Sequence, residues 1–197
     1  MVTEKQNKLI LPTGYLSYSQ CMMWLQNPAR YRSEYFEGQD KLDTKYLRFG
    51  KGSAQARERR DLKPGEITEL KVEVNIKGVP VLSYIDLYDG NRHIFEEDKT
   101  GKVAWTQSRV QKHEQLPFYA TVLRAKYGKM PLSCTLNWFQ TNENNEQGGL
   151  QNEIEFTGVE KSFIREFDER ECDRIEDMIV KVANEISDAY KKFIQEI

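Results

Sequence analysis

The chain has 197 residues and a mass of 23.1 kDa, of which 39% are hydrophobic and 30% charged. This composition is typical of a folded globular protein and excludes a disordered one. The formal net charge of −2 excludes a strongly basic coat protein for nucleic acids, and no apolar run approaches the roughly 20 residues that a membrane helix needs.

The amino-terminal stretch and the cysteines give expectations about the compartment. The stretch "MVTEKQNKLILPTG" lacks the apolar core of a secretion signal, so we expect a cytoplasmic protein with no membrane partner. Cys21, Cys134 and Cys172 are odd in number and show no CxxC spacing. That pattern disfavours disulfides and structural zinc.

Helices are predicted in the first third of the chain. The stretch "LSYSQCMMWLQNPARYRSEYF" has apolar residues near helical spacing, a serine cap at Ser17 or Ser19, and a break or bend at Asn27-Pro28. A second helical stretch is predicted in "FGKGSAQARERRDL", before the turn at Pro64-Gly65.

Three strands are predicted next, in the runs "ITELKVEVNI", "VPVLSYIDLY" and "RHIFEEDK". Short turns at Lys77-Gly78 and Asp89-Gly90-Asn91 would join them into an antiparallel meander.

The carboxy-terminal half is predicted to contain helix, two strands and helix. The stretch "SRVQKHEQLPFYATVLRAKYG" indicates one helix, or two short ones that meet at Pro117, closed by Gly128. Strands are predicted in "PLSCTLNWFQTN" and "NEIEFTGVEKSFIREF", followed by a long amphipathic helix capped by Asp168.

This order of elements predicts a single α/β or α+β domain with a central mixed β-sheet flanked by helices. We expect a helical region over residues 1–66, the core sheet over 67–165 and a closing helix over 166–197.

A candidate site follows from the second and third strands. Side chains alternate along a strand, so Glu97 and Lys99 face one side of the sheet and Asp98 the other. Hairpin pairing would bring Asp86 beside Glu97, and two carboxylates suit Mg²⁺ or Mn²⁺. From spacing alone, a solvated hairpin end is an equally good reading of these charges.

Several motifs together resemble the PD-(D/E)XK nuclease superfamily, and within it the RecB-like branch, which includes the nuclease domains of bacterial recombination helicase-nucleases and CRISPR adaptation nucleases. The similarity runs from about Leu16 to Lys126, beginning with Trp24, Pro28 and Tyr31 in register with an amino-terminal helical motif. The central motifs, in the order of the family, are Gly78 before Asp86, "EDKTG" from Glu97 to Gly101, and "QLPFY" from Gln115 to Tyr119.

The resemblance implies a restriction-endonuclease-like core and assigns roles to particular residues. Asp86, Glu97 and the main-chain carbonyl of Asp98 would be metal ligands for Mg²⁺ or Mn²⁺, and Lys99 would be the catalytic lysine. Gln115 and Tyr119, four apart on one helix face, would position the lysine, the water or the DNA strand. Without the upstream motif, an ordinary surface pair would be the better reading of these last two residues.

The chain departs from the family at two places. Many RecB-like members have a histidine ligand before the strands, where this chain offers only Ala54, Gln55 or Ala56. Glu58 is either a substitute ligand or a surface glutamate paired with neighbouring arginines. Asn27 stands where iron–sulfur members have a cysteine, and no cysteine triplet follows, so we expect no iron–sulfur cluster.

The implied activity is metal-dependent hydrolysis of DNA phosphodiester bonds, by an exonuclease or a nuclease directed to ends or single strands. DNA is the expected partner, alone or beside a helicase or recombination protein, in repair, recombination or a phage or other mobile element. A second reading is a catalytically impaired, nuclease-fold DNA-binding subunit, because the histidine is missing. Candidate phosphate contacts, each of which is equally well a solvated surface residue, are Lys51, Arg57, Arg59, Arg60, Arg109 and Lys112.

Overall fold

The protein is described from a computed structural model, which covers residues 8–39, 61–144 and 153–197. Its centre is a five-stranded mixed sheet in the order β1-β2-β3-β4-β5, antiparallel except for the parallel pair β3 and β4. The strands are β1 (Glu66–Ile76), β2 (Val79–Asp89), β3 (Ile94–Gly101), β4 (Cys134–Asn144) and β5 (Glu153–Arg165).

The predicted meander of β1, β2 and β3 is confirmed, and its turns have the predicted chemistry. Lys77 and Gly78 both have positive φ, 49° and 90°, as a two-residue hairpin turn with the twist of its strands requires. In the second turn, the Asp89 carboxylate accepts hydrogen bonds from the main-chain N–H groups of Asn91 and Arg92, at 2.9 and 3.1 Å.

Helices connect and cover the sheet. They are α1 (Tyr18–Gln26), α2 (Pro28–Tyr35), α3 (Gln107–Gln111), α4 (Gln115–Tyr127) and α5 (Glu169–Glu196). Ser17 caps α1, and Asn27 ends α1 and caps α2, so the predicted break is confirmed. The caps predicted at Gly128 and Asp168 are confirmed as well.

The prediction that two helices meet at Pro117 is wrong. The interruption lies between α3 and α4, over residues 112–114, and Pro117 belongs to the first turn of α4. Proline fits there because the first N–H groups of a helix have no intrahelical acceptor.

The core lies between the sheet and the helices that cover it. Helix α4 packs on β1 and β2, and α5 packs on α4. The buried stripe of α5 includes Ile175, Ile179, Val182 and Ile186, all fully buried, as its helical spacing predicts. Within the described ranges, no helix is long and apolar enough to span a bilayer.

The expected α+β architecture with a central mixed sheet is therefore confirmed. The helical stretch predicted around residues 54–58 lies outside the described residues.

Candidate active site

The predicted acidic pair lies on neighbouring strands. In the antiparallel register of β2 and β3, Leu87 pairs with Glu96, so Asp86 comes opposite Glu97, one residue further along. The two carboxylates therefore belong to the same face of the sheet. The main-chain N–H of Asp98 donates a hydrogen bond to the side-chain Oδ2 of Asp86 at 2.7 Å, rather than to a main-chain carbonyl of β2. This bond ties the second strand to the third at the point where the acids meet.

Glu97 is buried, with 4% of its surface exposed. Its Oε1 accepts a hydrogen bond from Nζ of Lys99 at 2.6 Å, whereas its buried Oε2 has no partner among the described residues. Burial raises the pKa of Glu97 to about 7; the Lys99 cation opposes this rise and the Asp86 carboxylate adds to it. An unpartnered buried carboxylate oxygen is costly unless a proton or a cation satisfies it.

Lys99 is held by a chain of side-chain hydrogen bonds. Besides Glu97, its Nζ donates to Oε1 of Gln115 at 2.7 Å. Nε2 of Gln115 in turn donates to the hydroxyl of Tyr119 at 2.8 Å, one helical turn further along α4. Tyr119 is buried, and burial together with the nearby Glu97 charge keeps its pKa well above the ordinary value. The hydroxyl is therefore a permanent, neutral hydrogen-bonding partner.

Asp98 points to the opposite face, as the alternation predicts. Its Oδ1 accepts a hydrogen bond from Nδ2 of Asn137 at 2.8 Å, and Asn137 also donates to Glu96 at 3.0 Å. The Asp98 side chain is thereby directed away from Glu97, which leaves only its main chain on the side of the acidic pair. Sequence reasoning missed Asn137, because its contact depends on the pairing of β3 with β4, which are distant in sequence.

Glu69 is a second residue that sequence reasoning missed. In the pairing of β1 and β2, Thr68 lies opposite Leu87 and Leu70 opposite Ile85, which places Glu69 across from Asp86. Glu69 has a positive φ of 48°, an unfavourable conformation for a glutamate. Its negative charge also contributes to the raised pKa of Tyr119. No sequence pattern signals a positive φ at a glutamate, so this acid was not a candidate.

The fit of a divalent ion rests on Asp86 and Glu97. No group of three His, Cys, Asp or Glu side chains within the described ranges is placed to hold a metal ion. Two carboxylates, one with an unpartnered buried oxygen, are nevertheless the kind of hard-oxygen donor set that suits Mg²⁺ or Mn²⁺ when waters complete the shell. Glu58, the third candidate ligand, lies outside the described residues.

Two clefts border the Lys99–Gln115–Tyr119 chain. One has a volume of about 230 Å³ and is lined by Gln115, Tyr119 and the hydroxyl-bearing residues Tyr15, Ser17, Tyr18, Ser19, Ser83 and Tyr84. The other has a volume of about 580 Å³ and is lined by Lys99 together with Arg109 and Lys112. Of the candidate phosphate contacts, Arg109 and Lys112 are the only ones that lie within the described residues. The others, Lys51, Arg57, Arg59 and Arg60, lie outside them.

The two histidines differ in their surroundings. His93 is buried, donates or accepts a hydrogen bond with Tyr88 at 2.6 Å, and contacts the carbonyl of Lys129 at 3.0 Å, so it has a purely structural environment. His113 lines the larger cleft. Phe118, an aromatic residue that could in principle stack on an unpaired base, is fully buried in the core and cannot reach one.

A comparison of the sequence with protein-family profiles and with curated proteins found no match. Solved structures with a similar fold include a candidate exonuclease from Eubacterium rectale, at 13% identity and a TM-score of 0.56, covering 94% of this chain and 85% of that one. An alkaline exonuclease from Laribacter hongkongensis, solved with dAMP, aligns at 15% identity and a TM-score of 0.54 over 94% of each chain. A phage-related exonuclease from Haemophilus somnus aligns at 12% identity and a TM-score of 0.53, covering 93% of this chain and 86% of that one. At these identities the likeness establishes a fold that this chain shares with exonucleases.

Proposed function

We propose that this protein is a metal-dependent DNA nuclease of the PD-(D/E)XK superfamily, in its RecB-like branch, and that it hydrolyses phosphodiester bonds. The observation that carries the proposal is the chain of Glu97, Lys99, Gln115 and Tyr119, joined by side-chain hydrogen bonds of 2.6 to 2.8 Å. Asp86 lies beside it, and its carboxylate accepts a hydrogen bond from the main-chain N–H of Asp98 at 2.7 Å. The shared fold with three exonucleases supports the proposal.

Asp86 and Glu97 would hold the ion, with the main-chain carbonyl of Asp98 as a further ligand. When bound, Mg²⁺ or Mn²⁺ would neutralise charge on the scissile phosphate and lower the pKa of a bound water. Oε2 of Glu97, which has no partner among the described residues, is the oxygen best suited to this role.

Lys99 would orient the attacking water. Two of its three N–H groups are directed to Glu97 and Gln115, which fixes the ammonium and leaves the third for the water or a phosphate oxygen. The water oxygen would attack phosphorus and release a proton to solvent, the bond from phosphorus to the leaving sugar oxygen would break, and the leaving oxygen would take up a proton from solvent. Gln115 and Tyr119 would act through Lys99 by holding it in place.

The expected substrate is DNA with free ends or single-stranded character, because the chain contains no recognisable module for reading sequence. The alkaline exonuclease of similar fold was solved with dAMP, a DNA mononucleotide. A cytoplasmic role in repair, recombination or a phage or other mobile element, beside a helicase, would be compatible with this activity.

Degradation of end-labelled single- and double-stranded DNA in Mg²⁺, Mn²⁺ or EDTA tests the proposal. We expect cleavage only with a divalent ion, and a loss of at least about 100-fold in kcat for Lys99→Ala. Lys181→Ala is the matched control, because its side chain is 71% exposed on α5. DNA that is bound yet stays intact in wild-type protein with every divalent ion would instead indicate the impaired binding subunit.

A further inference from the structure

A positively charged cleft opens beside Lys99. We call it the basic cleft and define it by Lys99, Trp105, Arg109, Lys112 and His113; two hydroxyl-bearing residues near the start of α3 complete its lining. Its volume is about 580 Å³, and the lining residues that the structure describes include three cations and no acid. A cleft with charges of one sign concentrates the opposite charge, so this one favours an anionic ligand.

Trp105 holds the guanidinium of Arg109 in position. The Cζ atom of Arg109 lies 4.0 Å from the centre of the indole ring, and Trp105 is itself only 8% exposed. Arg109 is exposed, and in the described part of the chain no acidic side chain pairs with Arg109 or Lys112. Stacking therefore orders the guanidinium without neutralising it, and its N–H groups are suited to a phosphate.

His113 forms part of the wall behind Arg109. Its ring packs edge-on against Trp105, with centroids 4.9 Å apart, and its buried Nε2 has no partner among the described residues. Burial and the nearby cations Lys99, Arg165 and Arg109 lower the pKa of His113 to about 4. The ring is therefore neutral near pH 7, chiefly because it is buried, and the nearby cations act in the same direction.

Lys99 is not counted among the residues that bind the adjoining phosphate, because Glu97 and Gln115 take two of its three N–H groups and the third is assigned to the attacking water or the scissile phosphate. It does mark where the cleft begins, since it belongs both to the lining and to the candidate active site. A strand whose scissile phosphate lies at Lys99 would place an adjoining phosphate in the cleft.

We propose that the basic cleft binds the phosphate next to the scissile one in a nucleic acid strand. Arg109 is its hydrogen-bonding ligand, Lys112 supplies a second positive charge, and Trp105 is a positioning residue for Arg109. The inference rests on the proposed function only in identifying which phosphate is scissile. The proposed phosphate site would limit the substrate to strands that carry a charged phosphate next to the scissile one, on the side of the cleft.

Binding tests the cleft without reference to cleavage. The probe is a fluorescein-labelled 12-nucleotide oligothymidine, whose anisotropy is measured in EDTA at several salt concentrations. We expect Arg109→Gln to weaken binding about tenfold and to reduce the slope of log K against log salt by about 0.7, the contribution of one single-strand phosphate. Lys181→Gln, which removes the same charge from an exposed site on α5, should leave both quantities within twofold of wild type. Equal effects of the two substitutions would overturn the proposal.

Neutral methylphosphonate linkages identify the phosphate in the strand. In wild-type protein, replacing the phosphate on the cleft side of the scissile bond should raise KM about tenfold, whereas in Arg109→Gln the same replacement should have no further effect. The assignment would be contradicted if the neutral linkage and Arg109→Gln had additive effects on KM, whichever side of the scissile bond carried the neutral linkage. If the protein binds in an Arg109-dependent way but never cleaves DNA, the proposed function fails and the phosphate site stands.

The role of Trp105 has its own readout. Trp105→Leu should weaken binding in wild-type protein but not in the Arg109→Gln background, because its effect passes through the guanidinium. A purely structural role would weaken binding equally in both backgrounds. Because Trp105 is nearly buried, thermal unfolding is measured for each variant. Arg109→Lys keeps the positive charge but loses the planar group that stacks on Trp105, so it tests the stacking without a change to the core.

Discussion

At the scale of single residues, the position of Lys99 depends on two neutral side chains. The Gln115 side chain accepts a hydrogen bond from Lys99 and donates one to Tyr119. Removing the Gln115 amide and removing the Tyr119 hydroxyl should therefore both loosen the Lys99 ammonium, but not equally. Gln115 contacts Lys99 directly, whereas Tyr119 only fixes the orientation of the Gln115 amide. The two residues should therefore differ in the size of their effects and not in kind.

We expect Tyr119→Phe to reduce kcat about threefold to tenfold, which corresponds to the loss of one neutral hydrogen bond. Gln115→Leu should reduce kcat more strongly, because it leaves the lysine without one of its two acceptors. Steady-state kinetics on single-stranded DNA separates the two variants. A larger loss for Tyr119→Phe than for Gln115→Leu would contradict the proposed order of contacts.

The raised pKa of Glu97 predicts a pH dependence of stability in the metal-free protein. Its folded-state pKa is about 7, against an ordinary value of 4.5, so the protonated carboxyl is favoured by folding. The stability that Glu97 gains by being protonated in the folded state is fully present at a pH below its ordinary pKa of 4.5 and is lost as the pH rises through about 7. In EDTA, Tm should therefore fall between about pH 5 and about pH 8, and Glu97→Gln should reduce that fall.

A divalent ion should reverse this trend, because it competes with a proton for the same carboxylate. Thermal unfolding with and without Mn²⁺ should show greater stabilisation at about pH 8 than at about pH 5.5. Glu97→Gln should lose most of this stabilisation. Stabilisation by Mn²⁺ that is equal at both pH values, or unchanged in the variant, would show that Glu97 is not a ligand.

At the scale of secondary-structure elements, Arg165 fixes the junction between α3 and α4. It is 3% exposed, and its guanidinium donates to the carbonyls of Val110 and His113 at 3.1 and 2.8 Å and pairs with Glu171 at the start of α5. Arg165, the last residue of β5, thereby fixes the segment between α3 and α4, which contributes residues to the basic cleft and leads into Gln115.

We expect Arg165→Met to destabilise the protein by about 1–3 kcal/mol, because it removes the hydrogen bonds to the carbonyls of Val110 and His113 and leaves Glu171 without its ion pair to Arg165. It should also lower kcat, since the start of α4 carries Gln115. Denaturant unfolding and DNA cleavage measure the two effects. Lys161→Met, at an exposed position of the same strand, is the control and should change neither. Loss of stability with full activity would show that the junction does not position Gln115.

At the scale of the whole molecule, the parts of the site that are local in sequence could be predicted. Glu97 and Lys99 are two residues apart on one strand, and Asp86 reaches them through a short hairpin, so alternation and turn chemistry suffice. The contacts of Asn137 with Asp98 and of Arg165 with His113 join segments far apart in the chain, and only the folded sheet brings them together. The positive φ of Glu69 and the stacking of Arg109 on Trp105 likewise have no sequence signal.

The predicted roles of Glu58, Lys51, Arg57, Arg59 and Arg60 stay predictions, as does the extent of a single domain over residues 1–197. The basic cleft is a local positive surface that a net charge of −2 does not reveal. The order of the elements, by contrast, follows from hydrophobic periodicity and turn residues, because these report local burial directly.

The account depends on Asp86 and Glu97 sharing one divalent ion beside Lys99. Crystals grown with Mn²⁺ and measured for anomalous scattering test this most directly, with Glu97→Gln crystals as the reference. We predict an anomalous peak in contact with a carboxylate oxygen from each of Asp86 and Glu97, and a weakened or absent peak in the variant. A peak bound elsewhere, or an unchanged peak in Glu97→Gln, would contradict the account.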